Sequence, residues 1–548
     1  MNPTILARRA TAALAALALL AGCASTAPAP GEKPALVVLI VVDGLPQRQV
    51  TGYRDQLARD GLNRFLERGA WFADARFGQA NTLTGPGHAT ILTGAYPRAT
   101  GIIGNEWRDP ATGDYVYCAG DPAHQPIGHR AGSLAGTSPR NLRAQTLGEV
   151  MQAADARSKV ISVSGKDRGA ILLAGRAGAA YVFMAQSGRF ATTTYYRKEH
   201  PPWVEAFNGA KPADRYFGSV WSPLLPDMAY GRSVPDGQPW FAPGGRLPMA
   251  MGEGLEAPGP AFYGRLYRSP FLDALTLDFA LAAVDGESLG RDGAPDLLAV
   301  SLSGHDYINH AWGVESRLSH DHVLQVDELL GTFLRELDRR IGADRYVAVL
   351  TADHGFMPVP EYAAARGEAG GRQNPRETLA RLEAGLAAKF GDGPWTKGWS
   401  AQGVLFDRSL VAKRGVDERA LGEAARRILL AEPGLEAVFT RAQIEGGEKA
   451  QDAYLDAVRK GWHREISGDL QVVTKPGWML SSYGAGTTHG SPHPYDSHVP
   501  ILVYGPRWVK PGRRGEPVEV ADIAPTLAAM LGLPAPSSSE GRPLALAP

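Results

Sequence analysis

Four β-forming stretches of this 548-residue chain each end in a residue able to hold a metal or move a proton. Asp43 follows ALVVLIVV, Lys166 follows SKVISVSG, Asp306 follows DLLAVSLSGH, and the pair Asp353 and His354 follows RYVAVLTA. In an open parallel sheet, ligands bind beyond the carboxyl ends of the strands, so three acids, a histidine and a lysine reach one rim. A single Asp after a strand is more often a turn former than a ligand; their coincidence carries the weight. Asp306 and His310, in HDYINH, are four residues apart. On a helix they share one face, either as two ligands of one metal or as a plain ion pair. Asp353 and His354 are adjacent and diverge on an extended backbone, which suits bridging two neighbouring positions. His489 adds an imidazole from the loop GTTHGSPH. These donors suffice for two metals with three protein ligands each. Mixed nitrogen and oxygen sets with open positions point to zinc rather than Mg2+ or Ca2+. Two such ions about 4 Å apart can clamp the attacking and leaving oxygens of a phosphoryl displacement.

The stretch NTLTGPGHAT, from Asn81 to Thr90, offers a hydroxyl for such a centre. Pro86 suits the first turn of a helix running through HATILTG, which puts Thr84 at or just before the N-cap. There it meets free backbone N–H groups and the positive end of a helix dipole. A threonine hydroxyl is a poor nucleophile until metal coordination holds it as an alkoxide. The plainer role is a capping threonine, which stabilises by about 1 kcal/mol.

The residues above need a sheet to position them. The β-branched run of Ala35 to Gly44 reads as a strand buried on both faces of a parallel sheet, and the pattern recurs before Lys166, Asp306 and Asp353 and again in VPILVYGP, Val499 to Pro506. Helical patterns lie between, as in Asp321 to Ile341 and Ala521 to Gly532. The alternation predicts an α/β fold, a doubly wound, mostly parallel sheet with helices on both faces, over residues 35–545. Two segments interrupt it: an irregular Pro-, Gly-, Trp- and Tyr-rich insertion at about 201–265, and a largely helical cap region at about 361–469.

The amino terminus reads as a targeting segment. Arg8 and Arg9 precede the apolar run Ala12 to Leu20, too short to span a bilayer, and LAGC at Leu20 to Cys23 resembles a bacterial lipobox. Residues 1–22 are then a lipoprotein signal peptide, Cys23 the lipidated residue, and the Ala- and Pro-rich stretch to Pro34 a tether. The expected location is the periplasm, on the outer membrane through that anchor. Cys118 is left without a disulfide partner and reads as structural. With 57 basic and 57 acidic residues the chain carries no electrostatic footprint for nucleic acid.

Taken in order, the strand ending in VVDG, then TLTGPGHATILTG, GIIGN, ADHG and THG, together with the carboxyl-terminal VEVADIAPTLAAMLGLP, resemble the alkaline phosphatase superfamily. The likeness is to the branch of nucleotide pyrophosphatase/phosphodiesterases and PafA-type monomeric alkaline phosphatases. It implies two zinc ions per chain, one held by Asp306, His310 and His489, the other by Asp43, Asp353 and His354, with Thr84 beside the second as ligand and nucleophile. It implies that Asn105 binds a phosphoryl oxygen, and that Lys166 and Arg168, in SGKDRGA, mark a phosphomonoesterase, since the diesterases lack that pair. A monoester dianion carries one more charge than a diester, so added cations favour it. The implied activity is hydrolysis of small phosphate monoesters by a monomer through a phosphothreonine, the alternative being a phosphodiesterase/nucleotide pyrophosphatase on the same metals. A lipid-anchored protein that only binds a phosphorylated ligand is the rival from another class. CxPxR, the sulfatase signature, is absent, no extra acidic cluster offers a third ion site, and Gly85 is expected to leave the leaving-group side open.

Overall fold

The computed structural model describes residues 31–132, 134–446 and 452–546. The signal peptide, Cys23 and most of the tether lie outside the described residues. At the centre runs β1, Leu36–Val42, whose seven side chains are all buried. Successive side chains point to opposite faces of a strand, so complete burial requires cover on both. The other strands of its sheet are β2 (Ala70–Arg76), β3 (Val160–Ser164), β4 (Ala179–Met184), β5 (Arg189–Ala191), β6 (Asp296–Leu302), β7 (Tyr346–Thr351), β8 (Ile501–Tyr504) and β9 (Gly512–Glu519). The described residues order these nine as β9-β2-β8-β7-β1-β6-β3-β4-β5. Strand β1 pairs parallel with β6 on one side and β7 on the other, and β3 and β4 continue the parallel set. The fold is a mostly parallel, doubly wound α/β sheet.

Two strands run against the rest. β5 is antiparallel to β4, and β8 is antiparallel to both β7 and β2. The VPILVYGP run thus forms a buried strand, as its composition predicts, but not a parallel one. Apolar composition reports burial on both faces and carries no information about direction. The reversal matters for the site: the amino-terminal end of β8 lies at the rim where β1, β6 and β7 end, so the loop before it is delivered there.

The helices that position the site are α1 (Thr84–Thr93), α2 (Asp167–Ala174), α3 (Pro270–Gly286), α4 (Gly304–Trp312) and α5 (Arg317–Ile341). The insertion at 201–265 is irregular, with two short helices, Pro202–Gly209 and Pro260–Leu266, and a two-residue strand pair. Asp321 of α5 anchors it: the carboxylate accepts from Trp221 Nε1 at 2.6 Å, from the Leu224 N–H at 2.6 Å and from the Tyr230 hydroxyl. The later cap region is less purely helical than its sequence suggests. Helices Pro375–Phe390 and Glu418–Leu430 pack on a four-stranded sheet, ordered Thr396–Ser400, Gly403–Phe406, Leu470–Thr474, Leu435–Thr440. Leu382, Leu386, Trp395, Val404 and Leu421 form a separate hydrophobic cluster there. One of its strands begins at Leu470, just past the expected boundary.

Candidate active site

Strand ends and first helical turns bring the acids and imidazoles together. Asp43 follows β1, its backbone N–H held by the Leu302 carbonyl at 2.9 Å. Asp306 lies in the first turn of α4, and His310, one turn on, sets its Nε2 3.3 Å from Asp306 Oδ1. Asp353 follows β7, and its Oδ1 accepts the Gly44 N–H at 3.0 Å, which leaves Oδ2 to the site. His354 Nε2 stands 3.4 Å from that Oδ2, 3.5 Å from Asp43 Oδ1 and 3.9 Å from Asp306 Oδ1. His489 Nε2 is 3.5 Å from Asp306 Oδ1, and its ring stacks on His354 with centroids 3.4 Å apart. Two compact donor groups result, Asp43–Asp353–His354 and Asp306–His354–His489. The resemblance allots His354 to the first group and His310 to the second. The structure places His354 within reach of both and leaves His310 beside Asp306 at the solvent edge.

The hydrogen bonds of the imidazoles fix which nitrogen faces the centre. Nδ1 of His310, His354 and His489 lies 2.9, 2.9 and 2.8 Å from the carbonyls of Thr487, Gly355 and Thr82. A carbonyl only accepts, so each Nδ1 carries the proton and each Nε2 turns a bare lone pair to the centre. Asp43 Oδ1, Asp306 Oδ1, Asp353 Oδ2 and His354 Nε2 are buried with no hydrogen bond. Buried polar atoms are normally satisfied, and this convergence of orphaned acceptors fits divalent cations. Burial, joined by the charge of Asp353, pushes the Asp43 carboxyl well above the usual carboxylate range. Burial also holds His489 well below the usual imidazole range, with His354 adding to the effect. The donor set is therefore short of positive charge. Lys166 supplies part of it: its buried ammonium is 2.8 Å from Asp43 Oδ2 and is paired with Asp306 as well.

Thr84 is the first residue of α1, and Leu83 is the N-cap, so the threonine is one position further in than expected. Its hydroxyl caps nothing and makes no hydrogen bond among the described residues. Asn105 accepts the Gly85 N–H on Oδ1 at 2.7 Å, which fixes its amide beside Thr84. Gly85 does not open the leaving-group side. A Cβ there would meet Gly104 O at 3.1 Å and Asn105 Oδ1 and Cys118 Sγ at 3.2 Å, a packed wall. Cys118 is buried, and burial pushes its thiol up to about 12. Thr82 and Thr90 serve the loop and helix: Thr82 donates to the Ser491 carbonyl at 2.7 Å, and Thr90 accepts from Gln79 at 3.3 Å.

Sequence reasoning missed three residues. His88 ties α1 to the rim, with Nδ1 2.9 Å from the Thr84 carbonyl and 3.2 Å from Asp353 Oδ2, and Nε2 2.8 Å from Ser301 Oγ. Its only signal is its place in GPGHAT. Tyr117 and Tyr307 line a cavity of about 300 Å³ with Lys166 and Arg168, and the Lys166 ammonium lies 5.0 Å from the centre of the Tyr307 ring. Neither tyrosine stands at a strand end or in a spacing that sets it apart from core aromatics.

The chain as a whole is similar to known proteins. The family described as type I phosphodiesterase / nucleotide pyrophosphatase matches residues 37–496. The alkaline phosphatase PafA of Elizabethkingia meningoseptica is 32% identical over 517 residues, 93% of this chain and 94% of that one. A Myroides odoratus protein named calcium-transporting ATPase is 34% identical over 522 residues, 94% of each. The crystal structure of wild-type PafA superimposes with a TM-score of 0.87 at 32% identity, covering 94% of this chain and 98% of that one. The chain belongs to the type I phosphodiesterase/nucleotide pyrophosphatase family and, within it, stands with the PafA-type alkaline phosphatases, phosphoric monoester hydrolases.

Proposed function

We propose that this chain is a zinc-dependent alkaline phosphatase that cleaves small phosphate monoesters through a phosphothreonine at Thr84, acting as a monomer. Asp306, His310 and His489 would hold one ion, and Asp43, Asp353 and His354, with Thr84, the other; His354 reaches both groups. Bound there, two zinc ions supply positive charge to the attacking and leaving oxygens and favour the ionised threonine hydroxyl. The Thr84 oxygen forms the new bond to phosphorus as the ester oxygen leaves with the alcohol and takes up a proton. Water then attacks phosphorus, the threonine–phosphorus bond breaks, and inorganic phosphate departs. Asn105, Lys166 and Arg168 hold the non-bridging oxygens, so positioning and charge neutralisation supply most of the acceleration. The lipobox-like LAGC supports export, lipidation at Cys23 and a periplasmic location on the outer membrane.

The observation that carries the monoester reading is the buried Lys166, paired with Asp43 and Asp306, beside Arg168 in one cavity. Two cations suit a dianion, and a second ester substituent would leave one of them facing an uncharged group. The family description favours a diesterase as the second reading. The Myroides odoratus relative's name points to ion transport, but the cations Lys166 and Arg168 lining one cavity suit phosphoryl oxygens. The test is kcat/KM of the zinc-loaded protein on an aryl phosphate and on its methyl aryl diester. The monoester is expected to be preferred, Lys166→Ala to hurt it far more than the diester, and Thr84→Ala to lose on the order of a thousandfold or more in turnover with zinc still bound. A clear diester preference overturns the reading, and no ester hydrolysis at all leaves a binding protein.

A further inference from the structure

Arg168 sits beside an acid in sequence and does not pair with it. Asp167 directs its carboxylate elsewhere: Oδ1 accepts from the Tyr117 hydroxyl at 2.5 Å and the Arg168 N–H at 2.6 Å, and Oδ2 accepts from the Gly136 N–H at 2.6 Å. The Arg168 guanidinium donates from Nη1 to Tyr117 Oη at 3.2 Å, and its Nε is buried without a partner. No ion pair joins this guanidinium to a carboxylate among the described residues. An enclosed guanidinium ordinarily takes a carboxylate in a two-pronged contact. Here a phenol stands between the two, receiving from the cation and donating to the anion.

We propose that Tyr117 is a positioning residue, a spacer whose hydroxyl keeps the Arg168 guanidinium off Asp167 and so leaves that cation for the phosphoryl group. The inference rests on the reading that Arg168 meets the substrate's phosphoryl oxygens. Tyr117 is well placed to be rigid. It is buried, and burial together with the Asp167 charge holds its phenol well above the ordinary tyrosine range, so it remains a donor. It ends the strand Tyr115–Tyr117, which pairs antiparallel with Glu106–Arg108, and the next N–H, of Cys118, donates to the Asn105 carbonyl at 2.9 Å. One hairpin therefore sets both the Asn105 amide and the Arg168 guanidinium. Without the hydroxyl, Arg168 can fold back onto Asp167, and charge meant for the dianion is neutralised within the protein.

The test is a set of zinc-loaded variants read by kcat/KM for an aryl phosphate, by the inhibition constant of inorganic phosphate, by the methyl aryl diester rate and by zinc content. Tyr117→Phe is expected to lower monoester kcat/KM and weaken phosphate inhibition by on the order of tenfold each, with diester rate and zinc content unchanged. In an Arg168→Ala background the same substitution is expected to add nothing. Asp167→Asn, which removes the competing charge, is expected to restore phosphate inhibition to Tyr117→Phe, a rescue that a merely structural tyrosine would not give. If Arg168→Ala weakens phosphate inhibition and Tyr117→Phe does not, the spacer is wrong and the Arg168 assignment stands. The spacer also falls if the loss persists undiminished without Arg168. If Arg168→Ala changes neither monoester rate nor phosphate inhibition, the Arg168 assignment fails and the spacer with it.

Discussion

Three backbone carbonyls, those of Thr82, Gly355 and Thr487, decide what the imidazoles of the site can do, because each takes an Nδ1 proton and frees an Nε2 lone pair. The site's acids and histidines were legible in the sequence as residue types at strand ends and at helical spacing, and they do meet at one rim. Their carbonyl partners were not, since a carbonyl has no side-chain signature and its direction depends on a loop's path. His88 was visible but chemically silent until its contacts with Asp353 and Ser301 were known. The burial of three converging carboxylates beside one lysine has a consequence at this scale. Removing the metal leaves like charges enclosed together, which is costly. A strong chelator is therefore expected to abolish turnover and lower Tm, and zinc to restore both. Unchanged turnover and Tm after metal-free protein is verified by elemental analysis would contradict the metal reading.

Helix α1 shows why an element can be foreseen and still be misplaced by a residue. The proline in its first turn and the Gly-rich start announce it, but whether Thr84 caps the helix or enters it depends on the backbone angles of Leu83, which no residue type dictates. Its close seat against the end of β7 was hidden as well. A Cβ on Gly87 would lie 2.2 Å from the Asp353 carbonyl oxygen, so only glycine lets α1 lie that near. Gly87→Ala is expected to cost about 1–3 kcal/mol through overpacking and, by parting Thr84 from Asp353, to depress turnover well beyond its effect on Tm. Gly422→Ala serves as the control: a helical glycine whose added Cβ would meet Thr440 at an ordinary 3.5 Å, it is expected to leave Tm unchanged or raise it. The direction of β8 was illegible for a similar reason, since burial on both faces gives one apolar pattern in either sense.

Across the molecule, the insertion at 201–265 was readable only as an interruption, because its anchors lie far away on α5. Beside Asp321, His320 is buried, stacked on Tyr53 at 3.6 Å, with Nδ1 2.7 Å from Ser233 Oγ and Nε2 2.6 Å from Gln56 Oε1. Burial, with Arg232 nearby, lowers its imidazole to about 4 from an ordinary 6.5. Between those values the unfolded chain binds the proton and the folded one does not. Its contribution to stability is thus complete above about pH 6.5 and is lost as the pH falls toward 4. The difference in unfolding free energy between pH 7.5 and 4.5 is expected to shrink by about 2 kcal/mol in His320→Gln; an unchanged difference in denaturant titrations would refute the assignment. The reversed strand β8 also imposes an order in time. Asp43, Asp306, Asp353 and His354 leave the ribosome long before His489, which arrives only with the loop that starts β8. A chain cut short before that loop carries the whole Asp43–Asp353–His354 group but only part of the Asp306–His354–His489 group, so closing the sheet and completing the second group become a single late event.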